Sequence, residues 1–148
     1  MVQRAERVLK EYLKSNSNLW WIKLQNIHTT KTPADFLVLE KERRYLIECK
    51  EINLTKGYSS FSFDRLTQED DLLKFIKLHD NNNSCIFFLF RERTLKKSFM
   101  FFIPIDEYIS IKENRVKKSL NLSEFLEYFS DRQVFVKNGI VDLNIYFN

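Results

Sequence analysis

The run CIFFLF at residues 85–90 is the feature that most restricts how this chain can fold. It offers no charged or strongly polar side chain to water, so it is typical of a strand that is buried on both faces. The residues before it begin with Thr67 as a helix N-cap, followed by acidic residues and then by hydrophobic residues at helical spacing. The two segments together predict a central strand that is preceded by a helix.

The rest of the chain predicts helices and strands on either side of this centre. Helices are predicted at residues 4–14, 67–79, 106–111 and 119–129, and strands at residues 19–27, 35–39, 44–50, 85–90, 99–105, 134–136 and 140–147. The pair Asn138-Gly139 is a hairpin signal. A charged turn is predicted at residues 40–43, a loop at 53–64, and the end of the second helix at 81–83.

The helix at residues 67–79 joins a strand that ends at Lys50 to one that starts near Cys85. A strand–helix–strand crossover of this length favours parallel pairing and a right-handed connection. The prediction is an α/β fold with a mixed β-sheet flanked by helices. The length of 148 residues predicts one domain that spans residues 1–148.

The segment TPADFLVLEKERRYLIECK, residues 32–50, forms a hydrophobic hairpin in outline but carries three ionisable groups at one end. Side chains alternate along a strand, so Glu48 and Lys50 share one face. A turn around residues 41–43 then brings Asp35 across from Glu48 and Lys50. The hairpin therefore predicts that two carboxylates and an ammonium group meet at one end of the sheet.

Two neighbouring carboxylates repel each other, and burial disfavours both charges. A divalent cation would relieve this strain, with Asp35, Glu48 and the main-chain carbonyl of Cys49 as hard oxygen ligands for Mg²⁺. Lys50 would then lie beside the water that attacks a phosphodiester. A solvated, salt-bridged strand face is the alternative for these three residues taken alone.

Pro33-Ala34-Asp35, followed thirteen positions later by Glu48-Cys49-Lys50, resembles the PD-(D/E)XK nuclease motif. Residues 59–90, SSFSFDRLTQEDDLLKFIKLHDNNNSCIFFLF, resemble the block after the catalytic strand in RecU-type Holliday junction resolvases. Residues 103–108, IPIDEY, resemble the next strand and helix of that family, and residues 118–120 and 139–147 its C-terminal segments more weakly. The resemblance covers most of the chain.

This resemblance implies a restriction-endonuclease-like fold and a homodimeric, Mg²⁺-dependent DNA endonuclease that resolves four-way junctions, with Mn²⁺ able to substitute. It implies that Asp35 and Glu48 bind the metal and that Lys50 is catalytic. Gln68 matches a glutamine that lies near the active site in such folds. Glu6 matches a glutamate that often completes the metal site, and the alternative is a solvated helix residue.

The resemblance also implies products with 5′-phosphate and 3′-hydroxyl ends. One feature departs from the family: RecU-type proteins carry a long arm ahead of the catalytic aspartate. Only residues 15–33 separate the first helix from Asp35 here, and a long arm does not fit that segment. Two other functions therefore stay open: a nuclease of the same fold that cuts flaps, single strands or duplex DNA, and a non-catalytic DNA-binding module.

The formal net charge of +4 and the pI of about 9.0 suit a polyanionic partner. Contacts to phosphates dominate DNA affinity, so exposed basic and hydroxyl side chains around the site are candidates for binding DNA. These are Arg4, Arg7, Thr30, Lys31, Thr32, Lys56, Ser60 and Arg65.

The cysteines, Cys49 and Cys85, lie in hydrophobic runs and show no zinc-binding spacing, which predicts buried, reduced thiols. The N-terminus is charged where a signal peptide would be apolar, and no run approaches the length of a membrane span. We therefore expect a cytoplasmic, soluble protein.

Overall fold

The computed structural model describes residues 4–25 and 31–147. The strands are β1 (Trp20–Lys23), β2 (Phe36–Glu40), β3 (Arg43–Asn53), β4 (Ser60–Ser62), β5 (Asn82–Arg91), β6 (Phe99–Pro104), β7 (Ser119–Asn121), β8 (Gln133–Val134), β9 (Val136–Lys137) and β10 (Ile140–Val141). The helices are α1 (Arg4–Ser15), α2 (Glu69–Leu78), α3 (Ile105–Glu113), α4 (Leu122–Tyr128) and α5 (Asn144–Phe147).

Six strands form the main sheet in the order β1-β2-β3-β5-β6-β8. β3 and β5 pair in parallel, with Glu48 opposite Ile86, and the other neighbours in this sheet are antiparallel. The helix α2 makes the connection between the two parallel strands, as the sequence predicts. The mixed sheet flanked by helices is confirmed.

The sheet has a hydrophobic core on each face. α1 and α5 cover one face, where Tyr45, Ile47 and Cys49 of β3 are buried. α2, α3 and α4 cover the other, where the ring of Phe88 is fully buried. That ring lies 4.9 Å from the ring centroids of both Phe61 and Phe125. β5 is therefore buried on both faces, as its apolar run predicts.

Several predicted boundaries are wrong because pairing partners extend or shorten the strands. β1 ends at Lys23, and residues 26–30 lie outside the described residues. β3 runs on to Asn53 and β5 starts at Asn82, because the two strands pair along their whole length. Glu40 belongs to β2 and is buried, since its carboxylate pairs with Arg43 across the turn at a distance of 2.5 Å.

Local contacts also change three other predictions. Gln68 and not Thr67 precedes the first residue of α2, and the Gln68 side chain makes no capping hydrogen bond. Residues 119–121 form β7 instead of a helical turn, because they pair with β4 inside the predicted loop. The helix α4 then starts from Asn121, whose side chain accepts a hydrogen bond from the Glu124 amide. The hairpin at Asn138-Gly139 is confirmed, with a positive φ at both residues.

None of the helices in residues 4–25 and 31–147 has the length and apolar character needed to cross a lipid bilayer.

Candidate active site

Asp35 is held at the point where three strands come together. Its amide donates to the carbonyl of Ile47 in β3 at 3.0 Å, and its carbonyl accepts from the amide of Leu24 just after β1 at 2.8 Å. The main chain of Asp35 is therefore fixed from both sides. Ala34, immediately before it, is fully buried, and the small side chain lets this segment pack against the sheet.

The carboxylate of Asp35 reaches directly to β3. Its Oδ2 accepts a hydrogen bond from the amide of Cys49 at 2.8 Å. The amide and carbonyl of a strand residue point to the same side, so the Cys49 carbonyl also lies on the Asp35 side of β3. Lys50 Nζ lies 3.1 Å from Glu48 Oε2. The structure thus brings Asp35, Glu48, the Cys49 main chain and Lys50 together.

Glu6 joins the group from the first turn of α1. Lys23, in β1, connects it to Asp35: its Nζ lies 3.4 Å from Glu6 Oε1 and 3.6 Å from Asp35 Oδ1. The side chain of Glu6 is only 14% exposed. Glu6 therefore lies beside Lys23 and Asp35 and not on a solvated helix face.

The carboxylates interact strongly through Asp35. Burial, followed by the charge of Asp35, raises the pKa of Glu48 to about 8, although Lys50 acts in the opposite direction. Burial also raises the pKa of Glu6, and hydrogen bonding to Asp35 and its charge add to this effect. Three carboxyl groups face two ammonium groups here, so full ionisation would leave a surplus negative charge.

Burial raises the pKa of the Cys49 thiol well above its usual value, and the neighbouring carboxylates add to this. Cys49 and Cys85 are both free and buried, as the sequence predicts. Burial therefore disfavours the thiolate, the form in which cysteine binds metals, and makes the main-chain carbonyl of Cys49 the candidate ligand.

The donor set fits a hard divalent cation. Its atoms are carboxylate oxygens and one main-chain carbonyl, which Mg²⁺ and Mn²⁺ prefer. Among the described residues, Glu48 Oε1 is buried and has no hydrogen-bond partner, which a buried oxygen of this kind normally requires. Within residues 4–25 and 31–147, no three His, Cys, Asp or Glu side chains converge as a ready-made metal cage. A metal ion bound here would therefore need water molecules to complete its coordination.

Two other predicted site residues, Gln68 and Lys31, lie at the start of α2. Gln68 occupies the N-cap of α2, and its Oε1 is buried without a partner among the described residues. Lys31 donates from Nζ to the carbonyl of Thr67 at 2.7 Å, so it ties the segment before Asp35 to the start of α2. Thr32 is half-buried beside it, and Thr30 lies outside the described residues.

Five predicted DNA-binding residues line one groove of about 770 Å³ beside β3. They are Arg4, Arg7, Lys56, Ser60 and Arg65, and all five are exposed. Arg91 adds a further cation, and Glu51, Ile52 and Asn53 form the wall that follows Lys50 in β3. Arg7 also lines a second cavity of about 280 Å³, which contains Glu6 and Lys23. Arg7 therefore borders both the basic groove and the cavity that contains Glu6.

Sequence reasoning missed Lys23, Glu51 and Arg91. Lys23 reaches Asp35 because β1 pairs with β2, and no local pattern reveals that pairing. Glu51 and Arg91 each lie one residue beyond a predicted strand end, and they form an ion pair of 3.0 Å. If each of the two predicted parallel strands had been one residue longer, Glu51 and Arg91 would have lain on neighbouring strands in the prediction.

The sequence matches no protein-family model and no curated protein. Among solved structures, the fold is similar to that of Hjc from Archaeoglobus fulgidus, a Holliday junction resolvase from an archaeal hyperthermophile. The TM-score is 0.52 at 16% sequence identity, and the match covers 82% of this chain and 89% of that chain. At this identity the similarity shows the fold. The chain thus has a restriction-endonuclease-like fold, with a central mixed sheet flanked by helices.

Proposed function

We propose that this chain is a divalent-metal-dependent DNA endonuclease. The observation that carries the proposal is the convergence of Asp35, Glu48 and Lys50 in one cluster, next in sequence to Glu51, which lines a basic groove. In the nuclease family that the sequence resembles, such a set serves phosphodiester hydrolysis, and all three residue types occur together here, which supports the proposal. The groove supplies the positive charge that a polyanionic backbone requires.

Asp35, Glu48 and the Cys49 carbonyl would hold the metal, and Glu6 would reach it through one carboxylate oxygen or a water. Mg²⁺ is the proposed ion, with Mn²⁺ as a substitute. When bound, it would stabilise negative charge on the scissile phosphate and favour loss of a proton from the attacking water. Ionisation of all three carboxyl groups would leave a surplus negative charge around Asp35, and the ion would compensate it.

Lys50 Nζ lies 3.1 Å from Glu48 Oε2, and its ammonium group would face the scissile phosphate. Its charge stabilises the extra negative charge that develops on the phosphate in the transition state. The exposed cations Arg4, Arg7 and Lys56 would bind the sugar–phosphate backbone and orient the scissile bond. The products would carry 5′-phosphate and 3′-hydroxyl ends.

We further propose the four-way junction as the substrate and a homodimer as the active form. The similarity to a Holliday junction resolvase supports the substrate, and residues 59–90 support a RecU-type protein within this class. Resolution requires two symmetric cuts, which a two-fold dimer supplies. The free, reduced cysteines suit a cytoplasmic setting.

The test is cleavage of a labelled four-way junction and of a linear duplex of matched sequence, with Mg²⁺ or Ca²⁺. The wild type is compared with Lys50→Ala and with Lys112→Ala. Lys112 is the matched control because its Nζ also pairs with a glutamate, Glu69, at 2.6 Å, and it does not belong to the proposed set. The proposal expects paired cuts in the junction alone, in Mg²⁺, for the wild type and Lys112→Ala but not for Lys50→Ala.

Each other outcome points to a different function. Cutting of both substrates would keep the nuclease and refute the preference for junctions. DNA binding without cutting, unchanged by Asp35→Asn, would instead establish a non-catalytic binding module. Cutting by Lys50→Ala at the wild-type rate would refute the role of the lysine.

A further inference from the structure

Glu51 connects three elements around the proposed site without belonging to it. It follows Lys50 in β3 but points to the opposite face of the sheet, where α1 packs. Its Oε1 accepts a hydrogen bond from the amide of Ala5 at 3.1 Å, and its Oε2 accepts from Arg91 Nε at 3.0 Å. Its side chain is 17% exposed. Both carboxylate oxygens are therefore in use.

The contact with Ala5 sets the position of the first turn of α1. Amides in the first turn of a helix lack partners within the helix, and they carry the positive end of its dipole. A carboxylate from another element that binds such an amide fixes the helix end by a charge-assisted hydrogen bond. Ala5 is adjacent to Glu6, so the contact fixes the backbone that carries the Glu6 carboxylate.

Arg91 and Arg65 hold Glu51 itself. Arg91 comes from the parallel neighbour β5, so the ion pair ties Glu51 to the centre of the sheet. Arg65 Nη2 donates to the main-chain carbonyl of Glu51 at 3.0 Å. The two arginines thus hold Glu51, which binds the end of α1, in a fixed position on β3, the strand that also carries Glu48 and Lys50.

We propose that Glu51 is a positioning residue that places Glu6 against Asp35 and Lys23. It does so by joining α1 to β3, the strand that supplies the other functional groups. The inference rests on the proposed function, because it assigns Glu51 a role at that metal site through Glu6. A carboxylate that only stabilised the fold would act independently of Glu6.

The test is a double-mutant cycle of Glu51→Ala and Glu6→Ala, with Mn²⁺ affinity measured by calorimetry in the absence of DNA. Loss of an outer-shell partner weakens metal binding by about 10-fold or more. We expect that loss for Glu51→Ala in the wild type and none in the Glu6→Ala background. Glu51→Gln, which keeps an acceptor for the Ala5 amide, should restore part of the affinity.

Glu124→Ala is the matched control. Glu124 accepts from the amide of Asn121 at the start of α4 at 3.1 Å and pairs with Arg115 at 2.6 Å, so it makes the same two kinds of contact. It should leave Mn²⁺ affinity unchanged. Equal losses for Glu51→Ala with and without Glu6, or no loss, would overturn the positioning role.

A metal-free readout separates this inference from the proposed function. The NMR signals of the Lys23 side chain report its contact with Glu6. In the wild-type protein, Glu51→Ala should shift the Lys23 signals towards the positions that they have in Glu6→Ala. In the Glu6→Ala protein, the same substitution should leave the Lys23 signals unchanged. If the wild type binds no Mn²⁺, the metal site is refuted, and the Lys23 signals still decide whether Glu51 positions Glu6.

Discussion

Replacing Glu48 with Gln tests the electrostatics of the site in the metal-free protein. Glu48 has a folded pKa of about 8, against an ordinary value of 4.5. Between these two pH values Glu48 is protonated in the folded protein and ionised in the unfolded chain, so folding takes up a proton. The stabilisation is fully present below the unfolded pKa and is lost as the pH rises through the folded pKa.

The size of the expected change in unfolding free energy follows from the shift of the Glu48 pKa. Each pKa unit corresponds to about 1.4 kcal/mol, so the Glu48 contribution falls by about 4 kcal/mol between about pH 5 and about pH 9. Gln has nearly the same shape and does not titrate. The difference in unfolding free energy between Glu48→Gln and the wild type should therefore grow by about this amount over the range, in favour of the variant.

The assay is urea unfolding in EDTA across that pH range. Glu124→Gln is the control, because the Asn121 amide and Arg115 lower the pKa of Glu124 and it is ionised throughout the range. Its unfolding free energy should stay at a constant offset from the wild type. If the unfolding free energies of Glu48→Gln and the wild type change with pH in parallel, the pKa of Glu48 is not raised by its surroundings. The electrostatic reason for a cation at this site would then be refuted as well.

Three further changes have defined outcomes. Lys23→Gln should raise Mn²⁺ affinity by about 10-fold or more, because an ammonium group next to Glu6 and Asp35 repels the ion; calorimetry that shows weaker binding would contradict this. Arg4→Ala combined with Lys56→Ala should reduce the salt dependence of DNA affinity by roughly two phosphate contacts, each worth about 0.7–0.9 in the log–log slope; an unchanged slope would exclude the groove. Phe88→Ala should lower the free energy of unfolding by about 3–5 kcal/mol, because it leaves a cavity among buried rings; urea unfolding with a loss below about 1 kcal/mol would refute that packing.

The central part of the site could be predicted from the sequence because it depends on short-range rules. The two-residue period of a strand puts Glu48 and Lys50 on one face, and one turn brings Asp35 back to them. The buried run of β5 fixed the centre of the sheet in the same way. These features need only a strand, a turn and an alternation of side chains.

The surroundings of the site depend on packing over long distances, which no local pattern encodes. Lys23 reaches Asp35 only because β1 takes the edge position beside β2. Residues 119–121 have helical spacing but pair with β4 instead, since tertiary contacts override a weak local preference. Glu51 binds Ala5 across 46 positions of sequence, a contact that exists only after α1 has packed on the sheet.

Anomalous diffraction from crystals grown with Mn²⁺ is the measurement that tests the central claim most directly. The account predicts a single strong anomalous peak bound by Asp35, Glu48 and the main-chain carbonyl of Cys49. Lys23 would then have moved away from Asp35 or turned to face solvent. A peak elsewhere on the protein, or no peak while Lys23 still lies against Glu6 and Asp35, would contradict the proposed metal site.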